Sequence, residues 1–178
     1  MFAPFAQENF PAWLPLVCVS AISLVALLVI ITSAVRIIPE YARMVVFRLG
    51  RLAGTVGPGI VFVLPFIDRG VQVDLREKKE MINGEATTQD NARFGFQIGV
   101  GYRIVNPEKS VLSVPDLPMS LREATRARLK SIVGDVDTAQ ALQMRPKIEM
   151  ELKNRLGEAV NLWGCELTSV EILEVARV

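Results

Sequence analysis

Histidine is absent from this chain of 178 residues, and cysteine occurs only at Cys18 and Cys165. Without histidine the chain cannot carry a Ser-His-Asp or Cys-His catalytic site, a histidine-ligated zinc or a histidine pH switch. Two cysteines are too few for a four-cysteine metal site or for a framework of several disulfides. These absences exclude several common classes of hydrolase, zinc protein and disulfide-rich domain.

A stretch near the N-terminus also lacks charge of either sign. The 27 residues between Glu8 and Arg36 carry no charged side chain, and no Lys or Arg precedes Arg36. Residues 14–34 are the most apolar part, and 21 residues make about 31 Å of helix, close to the ~30 Å hydrocarbon core of a bilayer. A secretory signal peptide begins with basic residues, so the sequence predicts an uncleaved membrane helix instead.

The charges on either side of this helix predict its orientation. Only Glu8 precedes it, whereas four arginines lie between residues 36 and 51: Arg36, Arg43, Arg48 and Arg51. Because basic flanks stay in the cytoplasm, we expect residues 1–13 outside the cell (plasma or inner) membrane and the rest of the chain inside. A hairpin anchor with both ends in the cytoplasm is the alternative, although the middle of the helix holds only weak helix breakers.

Charge in the chain as a whole is balanced. It has 20 Lys and Arg against 19 Asp and Glu, a formal net charge of +1. No field of one sign attracts nucleic acid, so we expect no nucleic-acid partner. The basic side of a predicted helix at residues 122–130 lacks interleaved aromatic residues and is expected to be solvated.

Strands are predicted from alternation and from short apolar runs. The clearest covers residues 94–104, where six apolar residues alternate with smaller or polar ones: Gly95, Gln97, Gly99, Gly101 and Arg103. Further strands are expected at residues 41–49, 60–64, 71–75 and 165–175. Residues 50–59, with four glycines, are expected to form a turn, and residues 77–80 a solvated loop.

Helices are predicted in the second half of the chain. Ser120 and Glu123 form a capping box before an apolar stripe that ends near Gly134. Asp137 is expected to cap a short second helix, and Pro146 suits the first turn of a third. The apolar stripe of the third helix comprises Ile148, Leu152, Leu156, Ala159 and Val160. Strands followed by helices and a final strand indicate an α+β fold.

One face of the strand at residues 94–104 carries Gly95, Gly99 and Gly101 and is almost bare. Since residues two apart share a face, another backbone or helix can approach this side closely. A helix of the same chain is the first expectation, because α+β domains cover a sheet face with helices. A neighbouring subunit is the alternative.

Several motifs that could carry chemistry have a simpler structural interpretation. The glycines of residues 99–101 lie within a strand and lack the third glycine and the helix of a dinucleotide fingerprint. Lys130 and Ser131 are neighbours on a helix, where adjacent side chains do not face each other. Helix capping rather than metal binding is the expected role of three aspartates: Asp116, Asp135 and Asp137. We therefore expect no catalytic, cofactor-binding or metal-binding residues.

An ordered series of motifs follows the apolar segment. They are residues 35–52 (VRIIPEYARMVVFRLGRL), 57–68 (GPGIVFVLPFID), 71–76 (VQVDLR), 88–90 (TQD), 102–109 (YRIVNPEK), 131–134 (SIVG), 163–164 (WG) and 168–172 (TSVEI). Together they resemble stomatin-like proteins, or slipins, of the stomatin/prohibitin/flotillin group that carries the SPFH, or band 7, domain. The resemblance covers residues 36–178 and is collinear throughout.

This resemblance implies a membrane-anchored scaffold without enzymatic activity or a cofactor. The domain at residues 36–178 would contain mainly antiparallel strands packed with helices. The protein would form homo-oligomers, organise membrane microdomains and regulate neighbouring membrane proteins such as proteases or channels. Membrane lipids and an NfeD-like membrane protein are the implied partners. The C-terminal coiled coil of the family is expected to be absent.

Two other classes of function stay open at this stage. A membrane hydrolase would need a Ser–Lys or carboxylate pair that converges in one pocket. A lipid- or sterol-binding module would need a large apolar cavity beside the bilayer.

Overall fold

An exposed helix, α1 (Leu14–Ala34), leads directly into the first strand of the folded domain. The structure is a computed structural model, and it describes residues 13–136 and 145–177. The 19 residues Leu16–Ala34 are long and apolar enough, by length and composition, to cross a membrane. The rest of the described chain buries none of this window.

Strands occupy the middle of the chain, and helices precede the last strand. The elements after α1 in the described residues are β1 (Val35–Ile38), β2 (Ala42–Arg48), β3 (Arg51–Val56), β4 (Gly59–Phe62), β5 (Asp68–Asp74), β6 (Lys78–Thr87), β7 (Arg93–Ile104), α2 (Pro107–Ser113), α3 (Leu117–Gly134), α4 (Arg145–Leu162) and β8 (Cys165–Arg177). All strand pairs are antiparallel. The predicted α+β class is therefore confirmed.

The part nearest α1 consists of two small sheets. Strands β1 and β4 form a two-stranded ribbon, and β3, β2 and β5 form a sheet with β2 in the middle. A small apolar cluster joins them: Ile38, Ala42, Met44, Val46 and Val63. The ribbon is therefore held on one face of the larger sheet, close to the end of α1.

The turn expected over residues 50–59 is wrong, because most of this segment is the strand β3. Its glycines occupy the few positions where a strand hairpin needs left-handed backbone. Leu49 and Gly50 have φ of 49° and 80° and form the two-residue turn between β2 and β3. Gly54, with φ of 132°, lies where the β2–β3 register shifts. Hydrogen bonds to β2 stabilise β3 as a strand, although its glycine-rich sequence is typical of a turn.

The larger core lies between the sheet β6–β7–β8 and two helices. Strand β7 is central, and its apolar residues face α3 and α4, as the alternation predicts. Helix α3 packs on β6, α4 packs on β8, and the two helices contact each other. The predicted stripe of the last helix is confirmed for four buried residues of α4: Ile148, Leu152, Leu156 and Val160. Burial of these apolar faces is the main stabilising term for this part of the fold.

Further elements escaped the sequence analysis, among them the four-residue strand β1. Residues 78–80, expected in a loop, begin the ten-residue strand β6, whose outward residues other than Met81 are polar or charged. Because only one face of β6 is buried, its charged residues conceal the strand. The short helix α2 was not predicted either; Asn106 caps it by accepting a hydrogen bond from the Lys109 backbone N–H at 3.1 Å.

The start of α3 also differs from the prediction. The helix begins at Leu117, and the Asp116 carboxylate accepts a hydrogen bond from the Met119 backbone N–H at 3.1 Å. Asp116 is therefore the N-cap, and Ser120 lies inside the helix, so the capping box with Glu123 is wrong. The helix expected near Asp137 lies outside the described residues.

The glycine face of β7 is not covered by a helix in the described chain, which corrects our first expectation. Helices α3 and α4 pack on the opposite, apolar face, because that face offers most of the hydrophobic area of the sheet. At Gly99, an added Cβ would meet the side chains of Lys79, Met81 and Leu173 from the two flanking strands. We call this side the outer sheet face.

We expect Gly164→Ala to lower the free energy of unfolding by about 1–3 kcal/mol. Gly164 has φ of 72°, and an added Cβ would lie 2.6 Å from the backbone oxygen of Asn106. The matched control is Gly157→Ala in α4, where nothing lies within 4 Å of the new Cβ. Alanine favours a helix, so the control should be stabilised by about 0.5–1 kcal/mol.

Urea unfolding of the detergent-solubilised chain, followed by tryptophan fluorescence, measures both variants. Equal destabilisation of the two variants would contradict the assigned left-handed turn at Gly164.

Candidate functional site

An apolar surface lies on the ribbon that follows the membrane helix. Val35 pairs with Phe62 and Ile37 pairs with Ile60 in the register of β1 and β4. All four are exposed on the same face of the ribbon, and Ile37 and Phe62 are 78% and 74% exposed. Four paired apolar residues on a solvent-exposed face are unusual for a soluble domain.

The loop after β4 extends this surface. Phe66 is 98% exposed and has φ of 72°, a conformation that is uncommon for a bulky residue. The loop is nevertheless ordered, since the Asp68 backbone N–H donates to the Leu64 carbonyl at 2.9 Å. The Leu49 backbone N–H donates to the Ile67 carbonyl at 3.0 Å and brings the β2–β3 turn alongside.

We give one name, the apolar surface, to the exposed apolar residues of the ribbon, of the loop after β4 and of the β2–β3 turn: Val35, Ile37, Leu49, Ile60, Phe62, Leu64, Phe66 and Ile67. It lies beside the C-terminal end of α1, because β1 follows Ala34 without a linker. The Val63 backbone N–H donates to the Ala34 carbonyl at 2.8 Å and ties the end of β4 to the end of the helix. Such a surface is suited to contact with a membrane or with another protein.

One ion pair holds the loop of the apolar surface in place. Arg48 donates to the Asp68 carboxylate from Nε at 2.8 Å and from Nη2 at 3.1 Å, and the Leu64 backbone N–H donates to it at 3.3 Å. The Asp68 side chain is only 1% exposed. The hydrogen bonds from Arg48 lower the pKa of Asp68 below its usual value, and the same pair raises the pKa of Arg48. Asp68 is therefore ionised and compensated at neutral pH.

Other ionisable groups in the described residues also have structural partners. Arg76 donates to Asp74 and lowers the pKa of that carboxyl to about 2, and its guanidinium lies 4.2 Å from the centre of the Tyr41 ring. Arg122 donates to Glu80 at 2.8 Å, which fixes α3 to the edge of the sheet. Burial raises the pKa of the Cys165 thiol, so this cysteine is not an activated nucleophile.

The candidate chemical residues of the sequence analysis that the structure describes have separate structural positions and do not form one site. Asp116 is a helix cap and Asp135 follows α3, whereas Asp137 lies outside the described residues. Ser131 accepts a hydrogen bond from Arg155 Nη1 at 3.4 Å. Within residues 13–136 and 145–177, no group of three or more carboxylate, Cys or His side chains could hold a metal ion. The absence of catalytic and cofactor-binding residues stays a prediction.

The sequence analysis did not identify the apolar surface. It predicted a strand at residues 60–64, but a strand prediction does not say which face is buried. A usable signal was the apolar run after Pro65, since Phe66 and Ile67 occupy a position where a turn would ordinarily be polar.

Residues 36–176 match the SPFH domain / Band 7 family. The chain belongs to this family. A stomatin homolog of Pyrococcus horikoshii is 35% identical over 158 residues, which are 88% of this chain and 59% of the relative. Stomatin-3 of Caenorhabditis elegans is 37% identical over 177 residues, 98% of this chain and 66% of the relative. Mechanosensory protein 2 of Caenorhabditis elegans is 35% identical over 144 residues, 79% of this chain and 30% of the relative.

These similarities confirm the predicted resemblance to stomatin-like proteins. This SPFH/Band 7 protein spans about three fifths of the length of the first archaeal relatives it matches. Membrane association is indicated by the stomatin homologues together with the apolar helix α1.

We expect the apolar surface to enter the lipid layer in the reconstituted protein. A Phe66→Cys variant in a Cys18→Ala background, labelled with an environment-sensitive fluorophore, should be blue-shifted and quenched by quenchers on lipid acyl chains. The matched control is Leu162→Cys, an apolar position that is 75% exposed at the end of α4 and outside the apolar surface. Equal quenching at both positions, or at neither, would contradict membrane contact through this surface.

Proposed function

We propose that this protein is a membrane-anchored scaffold without enzymatic activity. Residues 1–13 lie outside the cell (plasma or inner) membrane, residues 14–34 cross it, and residues 36–178 form a cytoplasmic SPFH domain. The observation that carries the proposal is that an unburied apolar helix adjoins an apolar surface on the folded domain. The helix is about as long as a bilayer is thick, and the apolar surface can contact the same membrane.

The arrangement of charge supports this orientation. No Lys or Arg precedes α1, whereas four arginines lie in the first three strands after it: Arg36, Arg43, Arg48 and Arg51. Basic residues next to a membrane helix favour the cytoplasmic side. The hairpin anchor would require α1 to turn back within the bilayer, but it is one uninterrupted helix from Leu14 to Ala34.

Several observations favour a scaffold over a membrane hydrolase. A Ser–Lys hydrolase needs a lysine ammonium that faces a serine hydroxyl. Ser131 instead contacts Arg155, and Lys130 is its neighbour on the same helix. The carboxylate Asp116 caps a helix. We therefore propose that the chain has no catalytic, cofactor-binding or metal-binding residues, and that it acts through binding to lipids and proteins.

We further propose that the scaffold forms homo-oligomers through the outer sheet face. Two ion pairs cross this face, Lys79 to Glu171 at 2.7 Å and Arg103 to Glu166 at 2.6 Å. The outer sheet face has few bulky side chains and carries charges of both signs. A second copy of the chain can pack closely on such a face and pair its own charges with these. Neighbouring proteases, channels and an NfeD-like membrane protein are the further partners that the family resemblance suggests.

The topology can be tested by cysteine accessibility in intact cells. In a Cys18→Ala background, Asn9→Cys should react with a membrane-impermeant reagent from outside. Ala127→Cys on the exposed side of α3 is the matched control and should react only after permeabilisation. Reaction of Asn9→Cys only after permeabilisation would instead support the hairpin anchor.

The proposed interface can be tested by Gly99→Val. An added Cβ would lie 2.9 Å from Lys79 Cε, the mobile end of a flexible side chain, so the free energy of unfolding should change by less than about 1 kcal/mol. The yield of homo-oligomers crosslinked in native membranes should fall several-fold, while the matched Ala127→Val variant on α3 retains it. An unchanged yield in Gly99→Val would remove the outer sheet face from the interface.

A further inference from the structure

A cleft opens at the foot of the membrane helix, between the ribbon β1–β4 and the sheet β3–β2–β5. Its volume is about 680 Å³. The walls combine apolar and polar side chains: Ser33, Val35, Arg36, Met44, Val63 and Asp68 among them. A headgroup with the first part of its acyl chains would fit a space of this size and mixed polarity.

Arg36 is the charged residue of the cleft that has no protein partner. It lies on β1 between Val35 and Ile37, and all three residues line the cleft. Among the described residues, none forms an ion pair or a hydrogen bond with the Arg36 side chain. An unpaired guanidinium retains five donors in a planar fork that matches phosphate geometry.

The other charged residue that lines the cleft, Asp68, is compensated by Arg48. Asp68 is the one carboxylate of the cleft, and Arg48 already binds that group through two hydrogen bonds. The cleft therefore has one uncompensated positive charge and no free carboxylate. A choline or ethanolamine ammonium would find no counter-charge there, whereas a phosphate with an uncharged headgroup would be matched by Arg36.

The floor of the cleft is open backbone at Gly70 in β5. A Cβ at this position would lie 2.5 Å from the Met44 sulfur. Glycine therefore lets the Met44 side chain pack against the β5 backbone, and its thioether forms part of the apolar wall.

The depth of the cleft places it at the membrane interface. Ser33 lies in the last turn of α1 and Val35 begins β1, and both line the cleft. Since Leu16–Ala34 has the length of the hydrocarbon core, these residues lie at the level of the lipid phosphates. This step rests on the membrane-anchored function proposed above.

We propose that the cleft binds the phosphate group of one anionic phospholipid, with the Arg36 guanidinium as the main donor. The apolar walls contact the glycerol and upper acyl region. The lipid is selected by the single free positive charge and by the absence of a free carboxylate in the cleft. The chain would thus carry a specific lipid site in addition to its general contact with the bilayer.

The test uses the full chain in detergent and native mass spectrometry, with phosphatidylglycerol and phosphatidylcholine titrated separately. We expect one phosphatidylglycerol per chain to bind at least tenfold more tightly than phosphatidylcholine. Arg36→Gln should reduce phosphatidylglycerol affinity by about tenfold, the effect of losing a charge-assisted hydrogen bond, and Arg36→Lys should restore part of it. Thermal unfolding of Arg36→Gln should be unchanged, because this exposed side chain has no partner to lose.

Arg69→Gln is the matched control. It removes the same charge from an exposed position of β5 that does not line the cleft, so it should leave phosphatidylglycerol affinity unchanged. Equal losses in Arg36→Gln and Arg69→Gln would mean general charge attraction and would overturn the site. Equal affinity for both lipids would overturn it as well.

Inorganic phosphate distinguishes a lipid from a free anion. Millimolar phosphate should not displace phosphatidylglycerol, because phosphate makes no contact with the apolar walls; complete displacement would overturn the lipid assignment. Carbonate extraction of native membranes tests the anchor separately. Release of the chain by carbonate would refute the proposed membrane function, whereas loss of lipid selectivity with the anchor intact would refute only this site.

Discussion

The fold depends on a helix that no part of the described protein buries. The segment Leu16–Ala34 has 19 residues and is apolar as a whole, so its exposure to water has a large free-energy cost. A lipid bilayer removes that cost. Because β1 begins at the residue after α1, the membrane restricts the position of the first strand and of everything paired with it. In the membrane-anchored arrangement that we propose, the ribbon β1–β4 therefore lies at the membrane surface.

This constraint accounts for the difference between the two halves of the domain. The sheet β6–β7–β8 buries its apolar face under α3 and α4 and resembles an ordinary soluble core. The ribbon and the sheet β3–β2–β5 share only a small cluster, and the ribbon exposes its second apolar face. An exposed apolar face is tolerated where the bilayer takes the place of a protein layer. The Arg48–Asp68 pair then holds the protruding loop in one conformation.

Polar chemistry in the described residues mostly fixes elements to one another. Arg122 joins α3 to β6 through Glu80, and Asn106 and Asp116 cap the helices that follow them. Arg36 is different, since it faces a cleft at the membrane and has no partner. Arg36 is unpaired, whereas the nearby Arg48 and Asp68 pair with each other. This difference is a reason to look for a ligand of Arg36 outside the chain.

The sequence by itself determined the elements with a strong period. The uncharged run predicted α1, the alternation at residues 94–104 predicted β7, and the stripe from Ile148 to Val160 predicted α4. The family could also be inferred from the ordered motifs, because each depends only on local residues. The sequence analysis did not find the strands β1, β3 and β6 or the helix α2, since glycine, surface charge and short length conceal them.

Only the tertiary structure decided which faces are covered. Period shows that a strand has two unlike faces, but the partner of each face comes from residues far away in the chain. The helices could have packed on the glycine side of β7, yet they cover its apolar side. Phe62 and Phe66 are of residue types common in cores, and they are exposed because no segment within residues 13–136 and 145–177 packs over them. The unpaired state of Arg36 has the same origin, since salt bridges and clefts arise only when distant strands are brought together.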